Sequence, residues 1–391
     1  MTFCSRAQIR FALALFAFCS LFQLSAAETP FKPLFNGRDL SGWINVNGAP
    51  ETWSITNGVV HCTGKPTGAL RTPRQYENFI LELEWRHLTA GGNSGVFIWG
   101  SPLPAVGAPF LQGIEVQVLD NAFNIPGKNE WYTTHGDVFP IWGATMKPFG
   151  RHHGMRSFPS EERSKSSPEW NHYRITCTNG VIRLEVNGKE VSGGSDCVYR
   201  KGYLALESEG APVEFRNVRL CELPGSSATP EQTAPLDLGW RHFFNHLDFR
   251  GWQVNDVVLK EWSVAGERLN ARGDTLKDAA ILWSEKLFPP SEILWDVQPA
   301  KQATNRVTHT WVWLKSRAGE RTSILLENLK PGAYQRITLQ VTGKTATLRL
   351  GDTQQQHPLP FAVSSTQPFQ FGLSQEGTPA QMMNFFHRPL Q

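Results

Sequence analysis

A chain of 391 residues is longer than one hydrophobic core usually serves, so two domains are expected. A formal net charge of only +3 excludes the basic footprint that nucleic acid requires, and no nucleic-acid partner is expected. Fourteen Trp and 24 Phe are a heavy aromatic load; such rings build sandwich cores and also stack on sugars.

In chain order, residues 1–27 read as an export signal. Arg6 and Arg10 precede an apolar run over 11–24, and Ser25-Ala26-Ala27 offers small residues for cleavage. Ser20 and Gln23 interrupt the run, which is too short for a spanning helix. Phe18 before Cys19 is too bulky for lipoprotein processing. The protein is therefore expected in the periplasm or outside the cell, with no membrane span. Cys4 and Cys19 leave with the signal. Cys62, Cys177, Cys197 and Cys221 remain, with three disulfide pairings open, and Cys62 and Cys177 read equally well as small buried apolar residues.

Short strands with turn signals follow. Residues 53–62 alternate around Asn57-Gly58, a two-residue hairpin turn. Residues 79–87 set Leu81, Leu83 and Trp85 against Glu82, Glu84 and Arg86. Residues 94–99 follow Gly91-Gly92-Asn93. In Gly113-Ile114-Glu115-Val116-Gln117-Val118-Leu119-Asp120 the period of two puts Glu115 and Gln117 on one face and the aliphatics on the other. Asp120 is out of phase, and a turn at Asp120-Asn121 re-aims it. Hairpins are expected at Asn179-Gly180 and Asn187-Gly188, and strands at 203–206 and 213–220 close the unit. No amphipathic helix appears here. The fold class is all-β, an antiparallel sandwich or jelly roll.

Residues 121–170 are the exception, a long stretch with few strand signals. Trp131, Tyr132, Phe139, Trp142 and Phe149 mark it as a packed loop, expected to wall a site beside Glu115.

The chain also repeats itself. Leu34-Phe35-Asn36-Gly37-Arg38-Asp39-Leu40-Ser41-Gly42-Trp43 returns as Phe243-Phe244-Asn245-His246-Leu247-Asp248-Phe249-Arg250-Gly251-Trp252, and Trp53-Ser54-Ile55 as Trp262-Ser263-Val264 at the same offset. Arg174-Ile175-Thr176 returns as Arg336-Ile337-Thr338 at a smaller offset, so the second copy lacks a stretch where the first carries the polar strand and long loop. The expected organisation is a sandwich over 28–223, a Pro/Ser/Thr-rich spacer over 224–235, and a degenerate second sandwich over 236–391.

The 34–43 opening, Gly92-Asn93-Ser94-Gly95-Val96-Phe97, the 113–120 strand, Glu169-Trp170-Asn171 and Arg216-Asn217-Val218 occur together in one order. On these five motifs residues 31–223 resemble the 3-keto-disaccharide hydrolase domain family. The resemblance implies a concanavalin-like pair of curved antiparallel sheets. It also implies cleavage of glycosidic bonds in sugars oxidised at C3, hence a carbohydrate partner. Where many relatives show Thr-Gly beside the long loop, this chain has His135-Gly136-Asp137.

A C3 ketone acidifies the C2 hydrogen, and the glycosidic oxygen on C1 is then β to a carbanion. Cleavage needs a base, an enolate stabiliser and an acid for the leaving group. Glu115, Asp137, His135 and Glu209 are the candidate acid–base groups, and Gln117, Asn93 and Arg156 the candidate donors to hydroxyls or the enolate. Asp120 and Trp142 are added as substrate contacts, and a divalent metal is left open as a cofactor.

Each candidate has a plainer explanation. Glu207 and Glu209, two apart, suit an edge pair facing water. Asn93 suits its turn, Arg156 a solvated charge run, and His152-His153 an exposed pair rather than metal ligands. Two other functions fit the same pattern. One is a non-catalytic carbohydrate-binding sandwich. The other is a conventional retaining β-glucanase, but its Glu-x-Asp-x-x-Glu strand is here interrupted by Gln117 and Asp120, leaving only Glu115 in phase.

Overall fold

The computed structural model describes residues 30–127, 130–274, 280–301 and 309–390. The proposed export signal lies outside them. The expected hairpins form where Asn-Gly pairs supply two left-handed residues in succession: Asn57 and Gly58 at φ 52° and 76°, Asn179 and Gly180 at 52° and 75°, Asn187 and Gly188 at 49° and 86°.

Residues 32–222 form two antiparallel sheets, one of nine strands and one of eight, packed face to face. Alternation decides what lies between them. Leu81, Leu83 and Trp85 of Phe79–His87 meet Ile114, Val116 and Val118 of Gly113–Leu119 in one core. The remaining residues of Gly113–Leu119, Glu115 and Gln117 among them, turn to the outer face of the eight-stranded sheet.

The 121–170 stretch is not the strand-poor loop that its composition suggests. Val138–Ile141, Arg156–Ser157 and His152–His153 extend the eight-stranded sheet beyond the Glu115 strand, and Thr145–Pro148 edges the other sheet. These strands are two to four residues long and carry Pro and His, so period-two reasoning finds nothing to count.

Residues 241–389 form two more antiparallel sheets around a separate core. Their strand order matches the first half. The run Ile44–Val46, Gly68–Arg71, Tyr203–Ser208, Asn93–Gly100, Gly113–Leu119 has its counterpart in Trp252–Gln253, Leu282–Phe288, Phe369–Glu376, His309–Ser316, Arg321–Leu326. In the second half this sheet stops at five strands; nothing among the described residues stands where the first half adds Val138–Ile141 and its neighbours.

The two halves share a third apolar cluster, in which Val46, Phe97, Leu111 and Ala205 meet Trp240, Leu294 and Phe386. Around it, buried Asp296 accepts from Gly107 N (2.9 Å), Asn384 Nδ2 (2.7 Å) and Arg336 Nε (2.8 Å). Arg336 and Asn384 also donate to Pro104 O and Ala108 O. The 224–235 stretch, expected to be a spacer, lies along the first half. Glu77 accepts from Ser226, Arg200 donates to Gln232, and Gln75 donates to Ala234 O. All four described cysteines are buried, and no disulfide joins them.

Candidate active site

The outer face of the eight-stranded sheet holds a cavity of about 250 Å³, lined by Glu115, Gln117, Asn93, Arg156, Glu207 and Glu209 with aromatic walls. Two stretches deliver its carboxyls. Glu115 stands opposite Phe97 on one side and Phe139 on the other. Glu207 lies in Tyr203–Ser208, where Leu206 pairs with Val96, and Glu209 follows two residues on.

Gly95 lies between them, and its missing side chain is what lets them meet. A Cβ there would come within 2.8 Å of both Glu115 Oε1 and Glu207 Oε2. Glu207 is fully buried, and neither of its carboxyl oxygens accepts a hydrogen bond from a donor among the described residues. Its neighbours are the other two carboxyls, so a proton shared among them is the available relief.

Burial first, then the nearby Glu209 charge, pushes the Glu115 carboxyl up to about 8; Arg156 pulls the other way. Burial pushes Glu209 up to about 7, against the opposing pull of Glu207 and Arg156. Glu207 is driven well above the usual carboxylate range by burial and by both neighbours. Carboxyls so displaced, in a cleft, are the signature of a reactive site.

Amides and a guanidinium bind the cluster to the long stretch. Asn93 Nδ2 donates to Glu209 Oε2 at 2.6 Å, and Gln117 Nε2 donates to Asn93 Oδ1 at 2.9 Å. Arg156 donates from Nη2 to Gln117 Oε1 and from Nε to Asp137 Oδ2, both at 2.6 Å, with its guanidinium 3.7 Å from the Phe139 ring centroid. Arg156 is thus no solvated charge: it is the cationic wall of the cavity. Trp142 stands half exposed at the mouth, stacked on Phe110 and held at φ 53°, where a bulky side chain is uncommon.

Three candidates fall elsewhere. Asp137 is fully buried behind Arg156, accepting from Thr133 N and Oγ1 as well, so it orients the guanidinium and does not line the cavity. Burial nonetheless raises its carboxyl above the ordinary range. His135 does not line the cavity either; its ring lies beside Thr134 and 3.5 Å from Glu162. Asp120, expected to touch substrate, is buried in its turn, accepting from the backbone N–H of Gly91, Ala122 and Ser167. Burial would raise its carboxyl, but those three bonds outweigh it and lower it.

Glu207 is the residue that sequence reading set aside. Its two-residue spacing from Glu209 was the available signal, and a buried strand, not a wet edge, is where the pair sits. His152 and His153 are exposed, as read. Among the described residues no group of three or more His, Cys, Asp or Glu has the spacing to hold a metal ion.

Residues 30–221 match the family model of the 3-keto-alpha-glucoside-1,2-lyase-like domain. This half of the chain is such a domain. The family makes it a glycosyl hydrolase-like or carbohydrate-binding unit. No curated protein matches the chain. Among solved structures, two presumed glycosyl hydrolases from Parabacteroides distasonis are similar. One has 22% identity and a TM-score of 0.41, covering 50% of this chain and 94% of its own. The other has 25% identity and a TM-score of 0.35, covering 50% and 100%. The carbohydrate binding module CBM66 from Bacillus subtilis follows at 15% identity and a TM-score of 0.34, covering 48% and 98%. In the lyase-like domain the cavity and its three carboxyls all lie within the matched residues. No helix among the described residues is long and apolar enough to cross a membrane.

Proposed function

We propose that this protein cleaves the glycosidic bond of 3-keto-glucosides by elimination across C1 and C2. One observation carries the reading: Glu115, with a carboxyl near 8, lines a cavity that the Arg156 side chain also lines. A base of that strength suits a hydrogen acidified by a neighbouring ketone better than an ordinary carboxylate does. Glu115 takes the C2 proton, and the electron pair moves onto the C3 oxygen as an enolate. Arg156, aligned by Asp137 and Gln117, faces that charge. The enolate collapses, C1=C2 forms, and the C1–O bond breaks with its pair on the leaving oxygen. Glu209, held by Asn93, protonates it. Water added later to the double bond makes the overall outcome hydrolysis.

We further propose that the protein is exported, and that 236–391 is an inert second copy of the 28–223 sandwich, joined through 224–235. The paired registers support this. Opposite Trp311 and Trp313, which stand where Gly95 and Phe97 do, the second half has Leu325 and Ser323 for Gln117 and Glu115, and Ser374 for Glu207. Only Glu376 remains, for Glu209.

A second reading has one observation in its favour. Glu115 and Glu207 both crowd Gly95, and a close carboxyl pair is the retaining-glycosidase requirement of about 5 Å. It counts against this that Glu207, though it lines the cavity, is fully buried and is driven well above the usual carboxylate range, so that a nucleophilic carboxylate there is disfavoured. Incubating the full chain with a glucoside and its 3-keto derivative separates the readings. Release from the ketone alone, with solvent deuterium entering C2, is expected. Release from the unoxidised glucoside would establish the retaining mechanism instead, and tight binding without turnover of either would leave a binding protein.

A further inference from the structure

Beside the cavity lies a second hollow of about 440 Å³, and Ile125, Tyr132, Phe139 and Arg156 line both. One substrate can therefore occupy the two at once. We propose that this cleft holds the leaving group, and that it selects a flat, apolar aglycone such as an aryl alcohol over a second sugar. The inference rests on the elimination reading above.

The lining makes the choice. Trp131 is 60% exposed, Met155 45% and Ile125 38%, so much of the apolar surface left open in this half gathers at one place. Exposed apolar surface that is clustered marks a ligand or partner, where scattered residues do not. Several of the polar atoms nearby are already engaged. Arg156 gives Nε to Asp137 and Nη2 to Gln117 and rests its face on Phe139. The Tyr132 oxygen accepts from Ile125 N at 2.8 Å. His153 packs its ring against Trp131, centroids 4.8 Å apart. A sugar ring placed here would bring hydroxyls most of which meet the carbon of Ile125, Trp131, Phe139, Pro140 and Met155, and unpaired hydroxyls are costly to bury. An aryl ring brings none and offers its face to Trp131 and its edge to Met155. The chemistry agrees: when C1–O breaks, a phenolic oxygen accepts the electron pair more readily than a sugar hydroxyl and takes its proton from Glu209 or water.

The test uses the full chain and two 3-keto substrates of one anomeric configuration, an aryl glucoside and a disaccharide. In Trp131→Ala, kcat/KM for the aryl substrate should fall by about tenfold or more, the scale of losing one large apolar contact, with the disaccharide changed by less than about threefold on the same grounds. Met155→Lys should act in the same direction. Equal losses on both substrates, or a larger loss on the disaccharide, would make the cleft a sugar subsite and overturn the proposal; so would no loss on either. If the wild type turns over neither ketone, the functional reading fails, and binding then decides the cleft. A phenyl glucoside should bind at least about tenfold more tightly than a methyl glucoside, and lose that advantage in Trp131→Ala. Equal affinities would sink the aglycone assignment alone.

Discussion

Glu115 and Glu207 show how burial divides labour between two identical side chains. Both line the cavity, but Glu115 keeps 6% of its surface exposed and is the proposed base, while Glu207 is fully buried and holds its proton more firmly. Glu115→Gln preserves size and hydrogen bonding but not basicity. Turnover of a 3-keto-glucoside should fall by roughly 10²–10⁴-fold, the worth of a positioned proton-transfer group, while the melting temperature at pH 4, where the carboxyl is protonated folded and unfolded alike, stays put. In the wild type, the active form of Glu115 is the ionised one. kcat/KM should therefore be bell-shaped with its peak between about 7 and 8, rising as Glu115 ionises and falling as Glu209 loses the proton it gives the leaving oxygen, and the rising limb should vanish in Glu115→Gln. A rate unchanged in Glu115→Gln would falsify its role as base. Glu207 makes an opposite kind of prediction, about stability. Its folded-state value lies well above 4.5, so between 4.5 and that value the folded chain holds a proton that the unfolded chain has lost. Its contribution is whole below pH 4.5 and is lost as pH rises. Glu207→Gln does not titrate, so it should melt higher than wild type at pH 7–8 and equally at pH 4. Each kcal/mol regained moves the midpoint by about 2–4 °C.

At the scale of the strand, the site is a product of register. Gly95 pairs with Gln117 and lies under the two carboxyls; one residue of slip would turn Glu115 into the core and Val116 out. Gly95→Ala tests the arrangement without touching a titratable group. The new methyl meets only the ends of flexible side chains, so the chain should fold. Pushed aside, the two carboxyls lose their placement, and the rate should fall by about tenfold, the usual cost of a small misplacement. An unchanged rate would mean that Gly95 does not set the position of Glu115. The short strands of the 121–170 stretch matter for the same reason. Val138–Ile141 and Arg156–Ser157 place Phe139 and Arg156 on a sheet, where side chains are held more precisely than on a loop.

At the scale of the whole molecule, the second half grips the connection that leads into the Glu115 strand. Residues 104–108 lie between Asn93–Gly100 and Gly113–Leu119, and Asp296, Asn384 and Arg336 hold them. Asp296→Ala leaves the Arg336 guanidinium without its partner, so stability should fall by about 3 kcal/mol, the lower range for breaking a buried pair. If the second half supports the site, calorimetry should also show turnover declining together with the transition. A lost second transition with turnover intact would make the two halves independent. Glu376→Gln, altering the last carboxylate on the counterpart face, should leave turnover unchanged; a collapse there would move chemistry into the second half.

Local chemistry determined much of this protein before any contact was considered. Asn-Gly pairs set the hairpins because only such residues enter the left-handed region cheaply, and period-two alternation put Glu115 and Gln117 on one face because a strand has no other geometry. The Phe-Asn and Gly-Trp motifs recur at one offset, and the two halves share a strand order. What stayed hidden depends on contacts between segments far apart in the chain. Glu207 reads as a wet edge residue until the Gly95 strand packs beside it. Asp137 and His135 look as reactive as Glu115 until Arg156 is found to stand in front of one and the cavity to lie away from the other. The spacer over 224–235 looks free until Glu77, Gln75 and Arg200 are seen to hold it. Burial, and with it the displaced carboxyls on which the proposed chemistry depends, is a property of the assembled sheets, because desolvation is imposed by neighbours that the linear order does not name.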